Sequence, residues 1–299
     1  MIFRIRKLFN QYLEQIVTAI PLVVLISLVI YPLIYLFRLS LSEYGTYVQK
    51  FVGLKNYIDL FTSSDFHQYT INSSLYSLTT VSISFLLGFT FALVLDKVTT
   101  RRLRWVYMAL LLLAWALPRS VVGLVWRWIF HEDFGVINTV LVQLGLISDN
   151  IGWLGSRNLA WLSAITADSW ARFPFFTLVL YAGLQTIPPQ LYEAGRIDGA
   201  KVIELFRHIT LPLMKGPILV TLLLQTLFAF RTFTLLFTLT GGGPGDSTTT
   251  LAIYLYKQGM IRLHFGYSSA IAIALLAFCM LIAFIYSKFL QAETLSSGQ

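Results

Sequence analysis

The chain has 299 residues, of which 57% are hydrophobic and 12% charged, with a formal net charge of +8 and a mean hydropathy of +0.71. A soluble domain carries about 25% charged residues, so this chain lacks the charge to coat a water-facing surface and is read as an integral membrane protein. Its single cysteine, Cys279, lies in an apolar run, which excludes an intrachain disulfide.

The chain opens on a basic start, Arg4, Arg6 and Lys7, followed by a charge-free apolar stretch from residue 15. That stretch is longer than a signal-peptide core of about 7–15 residues, so it is read as a retained first span. A helix needs about 20 apolar residues to cross ~30 Å of hydrocarbon. Six segments meet that requirement, at about 15–38, 74–95, 105–129, 158–185, 216–240 and 268–290. The expectation is an all-α membrane protein of six transmembrane helices, a single domain over residues 1–299. Loop lysines and arginines set the orientation, because they concentrate on the cytoplasmic side. The cluster Lys97, Arg101, Arg102 and Arg104 between spans two and three is the strongest anchor. It places both termini and the loop 186–216 in the cytoplasm, and segments of about 39–73, 130–157 and 241–267 outside. This bias accounts for the basic balance without nucleic acid.

The loop between spans four and five is the most informative stretch. Pro188 and Pro189 stop the preceding helix, and residues 190–198 are good helix formers. Gly199 permits a sharp turn that a side chain would hinder. Residues 200–208 then alternate apolar and charged at helical spacing, and Pro212 and Pro217 end the unit. Two small helices in a polar loop suit a docking surface for another protein. Glu193, Ala194, Gly195, Gly199, Ile209, Leu211 and Pro212 also stand at the spacing of the "EAA" loop, and the chain resembles the permease subunits of ATP-binding-cassette (ABC) importers. Asp198, Ala200 and Phe206 resemble the carbohydrate-uptake branch of that family. Gly195 departs from the family's usual alanine. The outer segments are similar to that branch too, in Phe51 to Tyr57 with Phe66 and Asn72, in Phe134 to Asn138, and in Thr240 to Thr248 with its glycine run.

The resemblance implies an ABC importer type I permease fold in the plasma (inner) membrane of a bacterium or archaeon. It implies a heterodimer with a second permease, two ATPase subunits below and a substrate-binding protein outside. ATP and Mg would be bound by the partner ATPases, with no cofactor in this chain. Within the loop, Glu193 would anchor the ATPase contact, Gly199 would supply the turn, and Pro212 would fix the return into span five. The solute would be a sugar, oligosaccharide or polyol. The glycine run after Thr240 is not a phosphate loop of the Walker type, which needs a following lysine.

Charged groups inside spans are rare and usually face a bundle interior or a wet cavity. Asp168 and Arg172 stand i, i+4 on span four and share one face. With Trp170, Gln225, Phe228 and Arg231 they offer the hydrogen-bonding groups and aromatic faces of a sugar path. They equally suit a structural ion pair, and Arg119 suits a side chain snorkelling near the outer interface. The arginines fit an anionic sugar or phosphoester as well as a structural role. A second class of function, an ion-gradient-driven transporter, would use Asp168 and Arg172 as a proton relay. His67, His131, His208 and His264 are too scattered to make a metal site.

Overall fold

The computed structural model describes Val17, Ala19, residues 21–44 and residues 49–297. The basic start of span one, Arg4, Arg6 and Lys7, lies outside the described residues. Two compact units emerge, one running to Ser63 and including Leu255–Ala274, the other comprising Ser64–Tyr254 and the chain from Leu275.

In the first unit, helix α1 (Pro21–Ser40) is followed by an antiparallel hairpin of β1 (Ser42–Tyr44) and β2 (Gln49–Phe51), with Ser42 opposite Phe51. The expectation of helices alone is corrected here by this one short hairpin. Helix α2 (Lys55–Thr62) holds it. Buried Asn56 donates through Nδ2 to the carbonyls of Ser40, at 2.8 Å, and Ser42, at 3.0 Å. Those carbonyls lie where α1 gives way to the hairpin, and a buried amide satisfies them as a backbone partner would.

The second unit is built on the pairing of α3 (Ser64–Lys97) with α7 (Arg157–Leu184). Helix α3 buries Tyr76, Thr80, Ser84, Gly88 and Ala92, an i, i+4 ridge of mostly small residues. Helix α7 answers with Ala160, Ala164, Ala167 and Ala171. Small residues let two backbones approach closely inside a membrane, where dispersion and hydrogen bonding replace the hydrophobic drive. Gly88 marks the tightest point. A Cβ there would collide with Phe176 Cβ and would lie 2.9 Å from the Phe173 carbonyl oxygen.

Next along the chain come α4 (Arg101–Ala116) and α5 (Arg119–Ile129), bent by 93° at Leu117–Pro118. The unbroken helix expected at 105–129 is therefore two helices meeting at a bend. Proline disfavours helical backbone in the residue before it, and Leu117 accordingly turns out to ψ 133°. Helix α6 (Val136–Gln143) follows in the segment after α5.

After α7 come α8 (Pro189–Ile197) and α9 (Val202–Leu213), then α10 (Lys215–Phe230) and α11 (Thr234–Thr240). The fifth span, expected unbroken over 216–240, ends at Phe230 and resumes at Thr234. Pro212 does not end its helix. The chain stays helical to Leu213 and bends by 62° before α10. Having no N–H, Pro212 leaves the turn before it short of a donor. That turn, Phe206–Thr210, widens to the π form, with Leu211 N–H reaching back to Phe206 O. Helices α12 (Leu251–Tyr256) and α13 (Phe265–Ser297) complete the chain.

Among the described residues, three helices are long and apolar enough to cross a membrane: Pro21–Ser40, Ser64–Lys97 and Phe265–Gln291. Counting the two bent pairs as broken spans raises the number to five. Helix α7 is long enough at 28 residues, but it carries Asp168 and Arg172 at the centre of the unit. Its polarity is the reason it falls short as an apolar span.

Candidate functional site

Three charges of the expected spans, Arg119, Asp168 and Arg172, meet at one buried cluster. Asp168, on α7, has no exposed surface, and Arg172 one turn later is 4% exposed. Asp168 Oδ2 accepts from Arg172 Nε at 2.8 Å and from the Tyr76 hydroxyl at 2.7 Å. Its Oδ1 faces Arg119 Nη1 at 3.4 Å. All three nitrogens of Arg172 are then engaged, with Nη1 donating to Gln225 Oε1 at 3.1 Å and Nη2 to Thr232 Oγ1 at 2.7 Å. Four helices and the break after α10 are thus tied to one carboxylate.

Local sequence explains each placement. Asp168 and Arg172 share a face because they stand four apart on a helix. Arg119 opens α5 directly after the Pro118 bend and faces Asp168. Thr232 lies in the break between α10 and α11. Its hydroxyl also donates to Phe228 O at 2.9 Å, so it links the last turn of α10 to Arg172. Tyr76, Arg119 and Thr232 were not foreseen as partners of the pair. The charge of Arg119 inside a span was the one signal the sequence offered.

Beside the cluster opens a cavity of about 470 Å³. Arg119, Arg172, Gln225, Phe228, Arg231 and Thr232 line it, with Trp115 and Phe175 among its aromatic walls. Four of the six residues proposed for a solute path meet there. Asp168 is sealed behind Arg172, and Trp170 packs edge-on against Trp126 at 5.9 Å, away from the lining. The Arg231 guanidinium rests over the Phe228 ring, 5.0 Å from its centroid.

A second surface is the loop 186–216. Helix α8 ends at a left-handed turn, Gly199 at φ +82°. Ala200 N–H reaches Gly195 O at 2.9 Å, and Gly199 N–H reaches Arg196 O at 3.1 Å, which is the Schellman stop. Gly195 has its own reason to lack a side chain. A Cβ there would lie 2.6 Å from Leu205 Cδ2, on the facing helix α9. Glu204 caps that helix, accepting from Lys201 N–H at 2.6 Å. Phe206 stacks obliquely on Phe89 of α3 at 6.0 Å, and Tyr192 and Thr210 hydroxyls meet at 2.9 Å. The loop is therefore bolted to the α3–α7 core while its outer face stays open. Ile197, Val202 and Ile203 are 86%, 73% and 78% exposed. Glu193, Ala194, Asp198, Leu211 and Pro212 are exposed and Ala200 partly so. Among the described residues, the Glu193 side chain makes no ion pair.

The glycine run beyond α11 is folded on itself. Gly241, Gly242 and Gly245 take left-handed backbone, and Asn72 of α3 donates to the carbonyls of Ser247 and Thr249. Among the described residues, no group of histidine, cysteine and carboxylate side chains is arranged to hold a metal.

Comparison with known proteins places this architecture. Residues 84–292 match the family model described as the binding-protein-dependent transport system inner membrane component. The chain is 38% identical over 277 residues to the sulfoquinovosyl glycerol transport system permease protein SmoG of Agrobacterium fabrum, covering 91% of this chain and 89% of that protein. It is 35% identical to the trehalose/maltose transport system permease protein MalF of Thermococcus litoralis, covering 89% and 90%. Its fold matches a solved bacterial ABC transporter involved in the import of the acidic polysaccharide alginate, with a TM-score of 0.84 at 20% identity, over 96% of this chain and 98% of that one. The chain belongs to the binding-protein-dependent inner membrane component family, the membrane permease subunits of ABC importers.

Proposed function

We propose that this permease conducts a sugar or sugar-like solute, with the cavity beside Asp168 on its path. One observation carries the reading: polar side chains from α5, α7 and α10 converge on an aromatic-walled cavity, in a chain whose relatives are named as glycoside and disaccharide permeases. A sugar needs this mix, donors and acceptors for its hydroxyls and flat apolar faces for its rings.

The working assembly is a heterodimer with a second permease, two ATPases that bind ATP and Mg, and a binding protein on the far side. The chain crosses the inner membrane six times as one permease domain, with both termini and the loop 186–216 in the cytoplasm. Glu193, Ala194, Gly195, Asp198, Gly199, Ala200, Phe206, Leu211 and Pro212 form the coupling surface. The exposed apolar side chains of Ile197, Val202 and Ile203 support a protein partner there, because apolar groups left in water at such density mark contact sites. ATP binding closes the ATPases, and the bolted loop passes that motion to α3 and α7. A proton relay is not favoured, because both Asp168 oxygens already hold guanidinium or hydroxyl donors.

The test is co-purification of the tagged chain from membranes beside a Glu193→Ala variant, together with ATP-dependent sugar uptake. An ATPase and a second permease should accompany the parent chain, and the variant should lose the ATPase. Isolation of a stable lone chain whose uptake follows the proton gradient would sink the reading.

A further inference from the structure

Three arginines line the cavity, Arg119, Arg172 and Arg231, and among the described residues no carboxylate does. The one carboxylate behind them, Asp168, neutralises a single charge while facing two of these arginines. Cationic groups within spans are costly unless paired, so a positive excess held in place points to an anion that visits. The three arginines also differ in how they are spent. Arg172 has its donors fixed on Asp168, Gln225 and Thr232. Arg119 touches Asp168 through one Nη1 at a long 3.4 Å and keeps about a third of its side chain exposed. Arg231 is exposed, held by the Phe228 face. Two of the lining guanidinium groups therefore retain donors beyond these contacts, and such forks match carboxylate and sulfonate geometry.

We infer that the cavity selects an anionic sugar, with Arg119 and Arg231 taking its carboxylate or sulfonate and Trp115 and Phe228 taking the ring. This inference rests on the sugar reading above. The position of Arg231 makes it the discriminating group, since it stands outside the Asp168 cluster and its loss leaves those bonds in place.

The experiment is uptake by cells carrying the whole importer, using methyl glucoside and glucosyl glycerol, each with a hydroxyl, a carboxylate or a sulfonate at C6. The expected result is faster uptake of an acidic form than of its C6-hydroxyl partner, by roughly tenfold or more, the scale of a charge-assisted hydrogen bond. Arg231→Gln should collapse that ratio and Arg231→Lys, which keeps the charge without the fork, should restore part of it, which separates lost charge from failed folding. Preference for the hydroxyl forms, or a ratio unchanged in Arg231→Gln, overturns the anion assignment while leaving the sugar reading intact. Failure of every form to accumulate overturns the sugar reading, and this inference with it.

Discussion

Arg172 and Thr232 stand 60 positions apart, yet the guanidinium Nη2 donates to the threonine hydroxyl over 2.7 Å. The bond joins the middle of α7 to the gap where α10 stops and α11 begins. A gap in a membrane helix leaves backbone groups that protein must satisfy, because lipid cannot. Here the Thr232 hydroxyl serves Phe228 O while receiving the arginine. Thr232→Val should cost about 1.5–3 kcal/mol, the range for hydrogen bonds to charged groups, and Thr232→Ser should cost much less. Thermal unfolding of the purified chain in detergent reads the difference. Equal melting of the valine variant and the parent would remove the bond from any structural role.

Asp168→Asn is the more severe change. It leaves Arg172 buried with one less countercharge and loosens Arg119 and Tyr76 from the same atom pair. Breaking one side of a buried ion pair costs about 3–5 kcal/mol, whereas replacing both sides by apolar groups is often tolerated. Folded yield of Asp168→Asn should therefore fall well below that of the double variant Asp168→Leu with Arg172→Met. A yield for the double variant no better than the single one would show that the cluster's packing, not its charge balance, is decisive.

Gly88 tests the close approach of α3 to α7. Gly88→Val adds a Cβ that would collide with Phe176 Cβ and crowd the Phe173 carbonyl, and overpacking a tight contact costs about 1–3 kcal/mol or more. The neighbouring exposed Leu87 is a control, since Leu87→Val faces no such contact. Melting should drop for the glycine variant alone. Similar melting of the two would mean the helices can separate at little cost.

The sequence made some of this readable and hid the rest for physical reasons. Long charge-free runs such as Leu75 to Leu95 announced α3, because hydrocarbon tolerates nothing else. Gly199 and the paired prolines announced the two-helix loop, since backbone freedom is written in residue type. The breaks at Leu117–Pro118 and after Phe230 were masked by hydropathy, which counts apolar residues without reporting the backbone direction. Pro118 did carry a local signal through its effect on Leu117. Thr232 carried none, because its role depends on an arginine 60 residues away. The i, i+4 pairing of Asp168 with Arg172 was legible, while the arrival of Tyr76 and Arg119 required the packing of α3, α5 and α7. Gly195, an oddity in the motif, became intelligible only with Leu205 set against it.

The coupling turn gives the last prediction. Gly199 adopts φ +82° with nothing within 4 Å of where a Cβ would stand, so a substitution there is opposed by backbone strain and not by a clash. Left-handed backbone costs an L-residue about 1–2 kcal/mol, with asparagine the mildest exception. Gly199→Val should therefore disturb the carbonyl-satisfying bonds to Gly195 and Arg196 and tilt α8 relative to α9, while Gly199→Asn should stay near the parent. Because α9 is bolted to α3 through Phe206 and Phe89, the tilt should show as a coupling defect more than as unfolding. In the reconstituted importer, the valine variant should hydrolyse ATP with less solute moved per ATP, and the asparagine variant should keep most of the parent ratio. Equal ratios in all three proteins would mean that the turn is a passive link, and that force reaches α3 and α7 by another route.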